Sequence, residues 1–394
     1  MTSKERIAAA MGHKKPDRVP VMCQLSLGHY FLNCEHLPSE IWFDSETFAR
    51  SLIELQESYQ FDGVLINLPG RPSDWRKYLA STEKCKDGEK LVWKNGFETI
   101  VPPDDNPHTY SKSKKQLPFS TFESIDLTRP ATFYSPGYIW NAYHMPCLWG
   151  FDSNADLTNS TDYPASFTNI LKAVKKITND ISVQVEVFSP FTHFLEMFGY
   201  EEALMGLLIY PETSKKILEY FTKVVLSQVA VYVAEGGIDA ILVSSAFAGA
   251  GFISRHDYEN FVMPYEDIIF KEIKNHGLFS YVHTCGSIGD RLDLMAKTSV
   301  DGVDTLDPPP LGTVHLKEAK EIYGQRFFLK GNLDSINELL NVNDETFEKA
   351  VIDRLITGKP GSGYILSTAC SVSPYVKPYR LRKLVELSTK HGTY

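Results

Sequence analysis

The strongest constraint on the fold is an alternation of short apolar segments with longer amphipathic segments along most of the chain. Eight short segments are rich in β-branched and apolar residues on both faces, which is typical of buried parallel strands. They are residues 18–24, 62–67, 182–187, 238–244, 279–284, 300–306, 326–330 and 363–367. Helical patterns separate most of them, at residues 47–59, 211–236, 256–275, 288–297, 315–323 and 346–357. This order predicts an α/β fold, a (β/α)8 TIM barrel, with an open doubly wound sheet as the alternative.

The sequence between the second and third predicted strands has a different character. Residues 87–101 alternate in polarity around Lys94-Asn95-Gly96, a turn signal that predicts a β-hairpin. Residues 111–162 are polar and then aromatic, and the stretch 133–151 either walls an apolar pocket or forms the insertion's own small core. We therefore expect one barrel domain over residues 1–394, with an insertion at about 85–165.

Charge and motif content exclude several classes of protein. The formal net charge is -9, and the densest basic group is only Lys112, Lys114 and Lys115, so no nucleic-acid partner is expected. Apolar runs are too short for a membrane span and the N-terminus lacks a secretory pattern, so we expect no membrane association and a cytoplasmic protein. Neither a Walker A motif nor a strand-anchored GxGxxG is present, which gives nucleotide cofactors no support.

A candidate metal site lies at the end of the fifth predicted strand, in His283-Thr284-Cys285-Gly286. Residues two apart on a strand point the same way, so the imidazole and the thiol can reach one centre. Cys370 follows the last predicted strand, and strand C-terminal ends share one face of a barrel. One His and two Cys suit a three-ligand zinc site with an open position. The alternative is that these cysteines are buried hydrophobic residues.

Other polar residues lie at predicted strand ends. Cys23 ends the first strand and either faces the cavity or fills the core. Glu186, an acid in an apolar strand, is either a salt-bridged structural group or a functional carboxylate. Asn332 and Asp334 follow the seventh strand and either line the site or, for Asp334, cap the next helix. Asp304, in the sixth strand, receives no role.

Together, these segments resemble the uroporphyrinogen decarboxylase superfamily. The resemblance rests on blocks that occur in the family's order: PDRVPVMCQ, VFSPFT, GGIDAILVSSAFAG, FISRHDYENFVMPY, YVHTCGSIGD, VDGVDTLDP, LKGNLD and GYILSTACSVSP. It implies a (β/α)8 barrel with its pocket at the C-terminal face of the strands.

The resemblance also bears on the substrate. The decarboxylase carries two arginines in a segment like MRQAGRY, which hold substrate carboxylates. The matching segment here is MCQLSLGHY, with Cys23 at the place of the first arginine and His29 near the second. The absence of both arginines argues against a polycarboxylated porphyrinogen as the substrate. Cys23, His29, Glu186 and Asn332 are the candidate substrate-binding residues.

Within the superfamily, the sequence is most similar to the cobalamin-dependent methyltransferase branch. That branch uses a His-x-Cys pair and a later Cys as zinc ligands, which implies His283, Cys285 and Cys370 as catalytic metal ligands. It implies Zn²⁺, a corrinoid (cobalamin) on a separate partner protein or free, and a small-molecule methyl donor or acceptor. We expect an O-demethylase-like enzyme acting on a methyl ether, aryl ethers included, or a thioether. The alternatives are a methylcorrinoid:thiol methyltransferase of the coenzyme M type, a decarboxylase, or a non-enzymatic binding protein.

Overall fold

A computed structural model describes residues 1–111, 119–126, 145–152 and 154–394. These residues contain eleven strands in two sheets. The strands are β1 Gly63–Ile66, β2 Leu79–Cys85, β3 Gly88–Trp93, β4 Glu98–Val101, β5 His108–Tyr110, β6 Ser182–Phe188, β7 Ala240–Ser244, β8 Phe279–His283, β9 Gly302–Asp304, β10 Phe328–Leu333 and β11 Tyr364–Thr368. Seven of them form a curled parallel sheet in the order β1-β6-β7-β8-β9-β10-β11. The predicted α/β fold with a parallel sheet is confirmed.

Helices connect the parallel strands. They are α1 Ser3–Met11, α2 Leu27–Asn33, α3 Pro38–Phe43, α4 Ser45–Tyr59, α5 Pro146–Trp149, α6 Asn169–Ile177, α7 Pro190–Phe198, α8 Tyr200–Ile209, α9 Pro211–Glu235, α10 Arg255–Phe261, α11 Met263–Asn275, α12 Leu292–Met295, α13 Leu316–Tyr323, α14 Asp344–Gly358 and α15 Pro378–His391. Local signals set several ends: the Asp44 side chain accepts a hydrogen bond from the Thr47 backbone at the start of α4. Helix α9 starts with Pro211 and ends at Gly236, which has φ +67°.

The first predicted strand, residues 18–24, is not a regular strand. Its backbone instead makes isolated parallel bridges, between Val21 and Leu366 and between Leu25 and Val372. On the other side, the Asp62 backbone N–H donates to the Val21 carbonyl at 2.8 Å. Pro20 has no N–H to donate, which interrupts a regular ladder. Residues 18–25 therefore lie between the edge strands β1 and β11, with bonds to β11 and to Asp62, the residue before β1.

The interior of the curled sheet is filled at its N-terminal end. Helix α1 contributes Ile7, Ala10 and Met11 to a buried cluster, here called the interior cluster. Its other members come from the sheet and from residues 18–25: Met22, Leu65, Ala240, Leu242, Tyr281, Phe328 and Ile365. A larger apolar cluster includes the residues that lie between the strands and the helices. The sheet is therefore closed by α1 at one end.

The antiparallel sheet β2-β3-β4-β5 follows β1 in the chain. Strands β3 and β4 pair antiparallel around the Lys94-Asn95-Gly96 turn, as the sequence predicts. Trp93 is buried and packs edge-on against Phe43 at 5.2 Å between ring centroids. Of the aromatic stretch 133–151, only its end from Met145 is described, where Trp149 and Phe151 are buried. Lys112, Lys114 and Lys115 lie outside the described residues.

Helix α9 is long and apolar enough to cross a membrane by length and composition alone. More than half of that stretch is buried inside the protein, and core helices pass the same test.

A buried ion-pair network fixes residues 18–25 to the edge of β1. Asp62 is fully buried and bonds to Arg6 at 2.6 Å and to Arg18 at 2.9 Å. Its carboxylate also accepts from the Val21 N–H at 2.8 Å. We predict that Asp62→Ala lowers the free energy of unfolding by about 3–5 kcal/mol, because it leaves Arg18 without a carboxylate partner and Arg6 paired only with the more exposed Asp17. Urea denaturation measures this, with Asp74→Ala as the control.

Asp74 pairs with Lys77 on the surface, where both side chains are more than half exposed. Its loss is expected to cost less than about 1 kcal/mol. Equal losses of unfolding free energy in Asp62→Ala and Asp74→Ala would contradict the role assigned to Asp62.

A second prediction concerns Glu266 on α11, which is buried, with Oε1 lacking a hydrogen-bond partner among the described residues. Burial raises its pKa from 4.5 to about 8, partly offset by a hydrogen bond from Ser245. The pKa of Glu266 is higher in the folded protein than in the unfolded chain, so protonation of this side chain stabilises the folded state. That stabilisation is full below pH 4.5 and is lost as pH rises through 8. The free energy of unfolding of Glu266→Gln, measured by urea denaturation, should therefore equal that of wild type at pH ~5 and exceed it at pH ~9. Parallel pH profiles would contradict this.

Candidate metal centre

A set of polar side chains follows the interior cluster toward the C-terminal ends of the strands. Six polar residues each lie two positions beyond a member of the interior cluster, so strand alternation turns their side chains inward as well. They are Gln24, Asn67, Ser244, His283, Lys330 and Ser367. Asp304 is in register with His283, and β1–β6 pairing places Glu186 beside Asn67. These eight residues are here called the polar ring. Such a ring at the carboxyl ends of parallel strands is where barrel folds place their chemistry.

His283, Cys285 and Cys370 come together at this end of the sheet. His283 Nε2 lies 3.3 Å from Cys285 Sγ, and the two sulfurs are 3.7 Å apart. The three candidate ligand atoms all lie within 4.8 Å of one another. A single ion can therefore be reached by one imidazole and two sulfurs, a donor set that suits Zn²⁺.

Two charged residues orient the imidazole. His283 Nδ1 is 3.2 Å from one oxygen of Asp304, which leaves Nε2 to face the sulfurs. Lys330 Nζ donates to the other Asp304 oxygen at 3.0 Å. All three side chains are buried. A carboxylate on the far nitrogen of a histidine is the usual support of a metal-binding imidazole.

Sequence reasoning gave no role to Asp304 and did not single out Lys330. The available signal was the presence of charged residues within two predicted strands, Asp304 in VDGVDTL and Lys330 in RFFLK. Such residues are rarely buried unless they pair.

The local charges favour a thiolate at Cys370. Hydrogen bonds from Cys285 and His283 lower the pKa of Cys370 well below its usual range, despite its burial. Burial lowers the pKa of His283, but its hydrogen bonds to Asp304 and Cys370 more than offset this effect and raise the pKa to about 10. The thiolate is the form of cysteine that binds metals. The fit to a zinc ion rests on the donor set, one imidazole and two sulfurs whose atoms can reach one centre.

The loop that carries Cys285 is held by Asp307. The Gly286 N–H donates to the Asp307 carboxylate at 2.6 Å. Burial raises the pKa of Asp307 to about 6, although this backbone hydrogen bond opposes the rise.

Of the predicted substrate-binding residues, Glu186 shares the polar ring with His283 and interacts with its charge. It belongs to the polar ring, is half-buried, and accepts a hydrogen bond from Ser244. Burial raises its pKa to about 7, while the charge of His283 lowers it. The structure therefore brings Glu186 together with the His/Cys cluster.

Cys23 and His29 lie elsewhere. Cys23 packs in the larger apolar cluster, next to Met22 of the interior cluster, so strand alternation turns it away from the polar ring. His29 is fully buried on α2, where Nε2 contacts Tyr59 Oη at 2.8 Å. Its Nδ1 lies 3.3 Å from the Ser373 carbonyl, and burial lowers its pKa to about 4. A substrate contact by either residue stays a prediction.

Asn332 makes contacts behind the sheet. Its amide donates to the Leu306 carbonyl at 3.0 Å and accepts from Arg354 Nε on α14 at 3.1 Å. Its substrate role likewise stays a prediction. Asp334 accepts from the backbone N–H groups of Ile336 and Asn337, and so caps a turn rather than the helix that the sequence suggests.

Fold and site together define a parallel α/β protein with a His/Cys/Cys cluster at the carboxyl ends of its strands. The model of the uroporphyrinogen decarboxylase (URO-D) family matches residues 151–391, which is more than half of the chain. The chain therefore belongs to the uroporphyrinogen decarboxylase family.

Curated relatives include both methyltransferases and decarboxylases. The methylcobamide:CoM methyltransferase MtbA of Methanosarcina acetivorans is 25% identical over 226 residues, which are 56% of this chain and 63% of that protein. The uroporphyrinogen decarboxylase of Saccharopolyspora erythraea is 30% identical over 182 residues, 45% of this chain and 48% of that protein. The chain thus matches less than two thirds of the length of these relatives.

A solved structure extends the likeness of the fold over the whole chain. A methyltransferase from Methanosarcina mazei matches 99% of both chains with a TM-score of 0.68 and 17% sequence identity. At that identity the match describes the fold alone.

The support that Asp304 gives to His283 leads to a prediction. Asp304→Asn keeps the shape of the side chain but removes its charge, so it should weaken Zn²⁺ affinity about 10–100-fold. Competition with a chromophoric chelator measures this, with Asp334→Asn as the control. An unchanged zinc affinity for Asp304→Asn would show that the imidazole needs no such support.

Proposed function

We propose that the protein is a zinc-dependent methyltransferase that moves a methyl group between a small substrate and the cobalt of a corrinoid. The substrate is a methyl ether, aryl ethers included, or a thioether, and the enzyme works as an O-demethylase. The observation that carries the proposal is the His283, Cys285 and Cys370 cluster, whose ligand atoms lie within 4.8 Å of one another. Three protein ligands leave a fourth position for a substrate atom, as in catalytic zinc sites.

A zinc ion at this site would act as a Lewis acid on the ether oxygen or thioether sulfur that leaves the methyl group. The chain's own residues prepare the site for it. Asp304 fixes the imidazole with Nε2 toward the sulfurs, and Lys330 balances the charge of Asp304. Cys285 and His283 stabilise a thiolate at Cys370 by hydrogen bonding.

Decarboxylation of a polycarboxylated substrate is less well supported. The polar ring contains no arginine, and its only lysine, Lys330, is already paired with Asp304. Cys23 and His29 stand where the decarboxylase segment has cations, and neither can pair with a row of carboxylates.

The proposal extends to the corrinoid and to the architecture. A small corrinoid protein is the expected partner, and the chain is expected to form one closed (β/α)8 barrel domain with an insertion at about 85–165, in the cytoplasm. The second candidate function is the transfer of methyl from a methylcorrinoid to a thiol. It is favoured by the similarity to methylcobamide:CoM methyltransferases.

Metal content and methyl transfer test the proposal together. Elemental analysis should find about one zinc per chain in wild type and in Cys34→Ala, whose thiol lies outside the cluster. Cys285→Ala should lose most of its zinc, since one thiolate ligand is gone, and should transfer no methyl group. Methyl ethers and thioethers are offered with a Co(I) corrinoid, and thiols with methylcobalamin, with the cobalt spectrum as readout. Full zinc occupancy in Cys285→Ala, or activity of zinc-free enzyme, would refute the proposal.

A further inference from the structure

One carboxylate of the polar ring has no cation beside it. Glu186 is half-buried, and among the described residues no lysine, arginine or histidine lies within salt-bridge distance of it. The Ser244 hydroxyl bonds to its carboxylate, but a hydroxyl carries no charge. Glutamates that leave the surface are normally paired, so the missing partner of Glu186 points to a charge that a ligand supplies.

Strand register turns Glu186 toward the inside of the sheet. Glu186 pairs with Leu242 of β7, and Leu242 pairs with Tyr281 of β8; both partners belong to the interior cluster. Residues in register on neighbouring strands point to the same side, so the Glu186 side chain also points inward. His283 lies two residues beyond Tyr281, on the same face and nearer the carboxyl end. The accessible part of Glu186 therefore faces the space inside the polar ring, on the side of the metal ligands.

The other charges of the site balance one another. Lys330 Nζ and an Asp304 oxygen form an ion pair at 3.0 Å. A zinc ion at the candidate centre would carry two positive charges, which the thiolates of Cys285 and Cys370 would match, while a metal-bound imidazole is neutral. Glu186 is therefore the charge in the polar ring that no neighbouring group of the ring cancels.

The same end of the sheet carries two more acids outside ion pairs. Asp307 and Asp334 are buried, and their carboxylates accept from backbone N–H groups rather than from a cation of the described residues. Burial raises the pKa of Glu186 to about 7 and that of Asp307 to about 6, because removal from water disfavours the ionised form. An anionic ligand would add to this negative charge, whereas a cation would compensate it. An ammonium group also brings N–H donors, which a carboxylate accepts.

We propose that Glu186 binds an ammonium group of the substrate. This inference rests on the proposed function, and it narrows the substrate to a methyl ether or thioether that also carries an ammonium group. Glu186 acts as a specificity-determining residue, because a neutral analogue leaves the half-buried carboxylate without a counter-charge and an anionic analogue is repelled.

Matched pairs of methyl ethers test the ammonium subsite. Isothermal titration calorimetry at pH ~8, where an aliphatic amine is protonated, compares 2-, 3- and 4-methoxybenzylamine with the corresponding methoxybenzyl alcohols on the zinc-loaded protein. The members of each pair differ only in an ammonium against a hydroxyl group. In wild type, at least one amine should bind about tenfold or more tightly than its alcohol, since charge-assisted hydrogen bonds are the stronger ones. Glu186→Gln keeps the shape of the side chain, removes its charge and should lose this preference.

Further variants separate the loss of charge from misfolding. Glu186→Asp keeps a carboxylate and should retain part of the preference, and the exposed Glu201→Gln on α8 should retain all of it. Zinc content and affinity for the alcohols should be the same in all four proteins, which reports an intact site.

Three results would overturn the subsite. In the first, no amine binds wild type more tightly than its alcohol, absence of binding included. In the second, Glu186→Gln keeps the preference for the amine. In the third, Glu186→Gln loses its zinc, which would assign Glu186 to the support of the metal instead.

The binding measurement needs no corrinoid and no methyl transfer. A preference for amines that depends on Glu186, without methyl transfer, would therefore overturn the proposed function alone. Methyl transfer from neutral ethers, without a preference for amines, would overturn the subsite alone.

Discussion

The curl of the parallel sheet is the constraint on which the site depends. The candidate metal ligands lie at the ends of strands β8 and β11, yet β9 and β10 lie between these two strands. At a strand spacing of about 4.8 Å, a flat sheet would hold β8 and β11 roughly 14 Å apart. The sulfurs of Cys285 and Cys370 are 3.7 Å apart, which requires the sheet to curve and the loops to converge. Residues 18–25 connect the two edges of the curved sheet, because they bond to β11 on one side and to the buried Asp62, just before β1, on the other.

Periodicity and chain order were enough to group the metal-binding residues. Buried parallel strands place their carboxyl ends on one face, so a His-x-Cys after one strand and a Cys after another were expected to meet, as they do. The Lys330–Asp304–His283 chain was out of reach, because it depends on the register of three strands, which periodicity does not supply. The effect of Pro20 on the first predicted strand was, by contrast, readable from the sequence, because proline cannot donate to a strand ladder.

Side-chain direction explains where Cys23 and Glu186, two of the four substrate-binding candidates, lie. Alternation along an extended segment means that a shift of one residue exchanges the inner and outer faces. Met22 faces inward, so Gln24 shares its side and Cys23 does not. A position matched to a family segment therefore identifies the right stretch of chain but not the side chain that faces the polar ring. Glu186 differs because it was chosen as an acidic residue within an apolar strand, not from a family segment. The pairing of that strand turns its side chain inward.

Helix α1 has a consequence for the order of events at the site. Ile7, Ala10 and Met11 fill the N-terminal end of the sheet interior, so within the described part of the chain the polar ring opens toward the carboxyl ends of the strands. If the proposed corrinoid protein docks at that end, it and the proposed small substrate would use the same entrance. The partner, once seated, would obstruct passage of the small molecule, and so the geometry favours an ordered sequence: small molecule in first, macromolecule second, and departure in reverse.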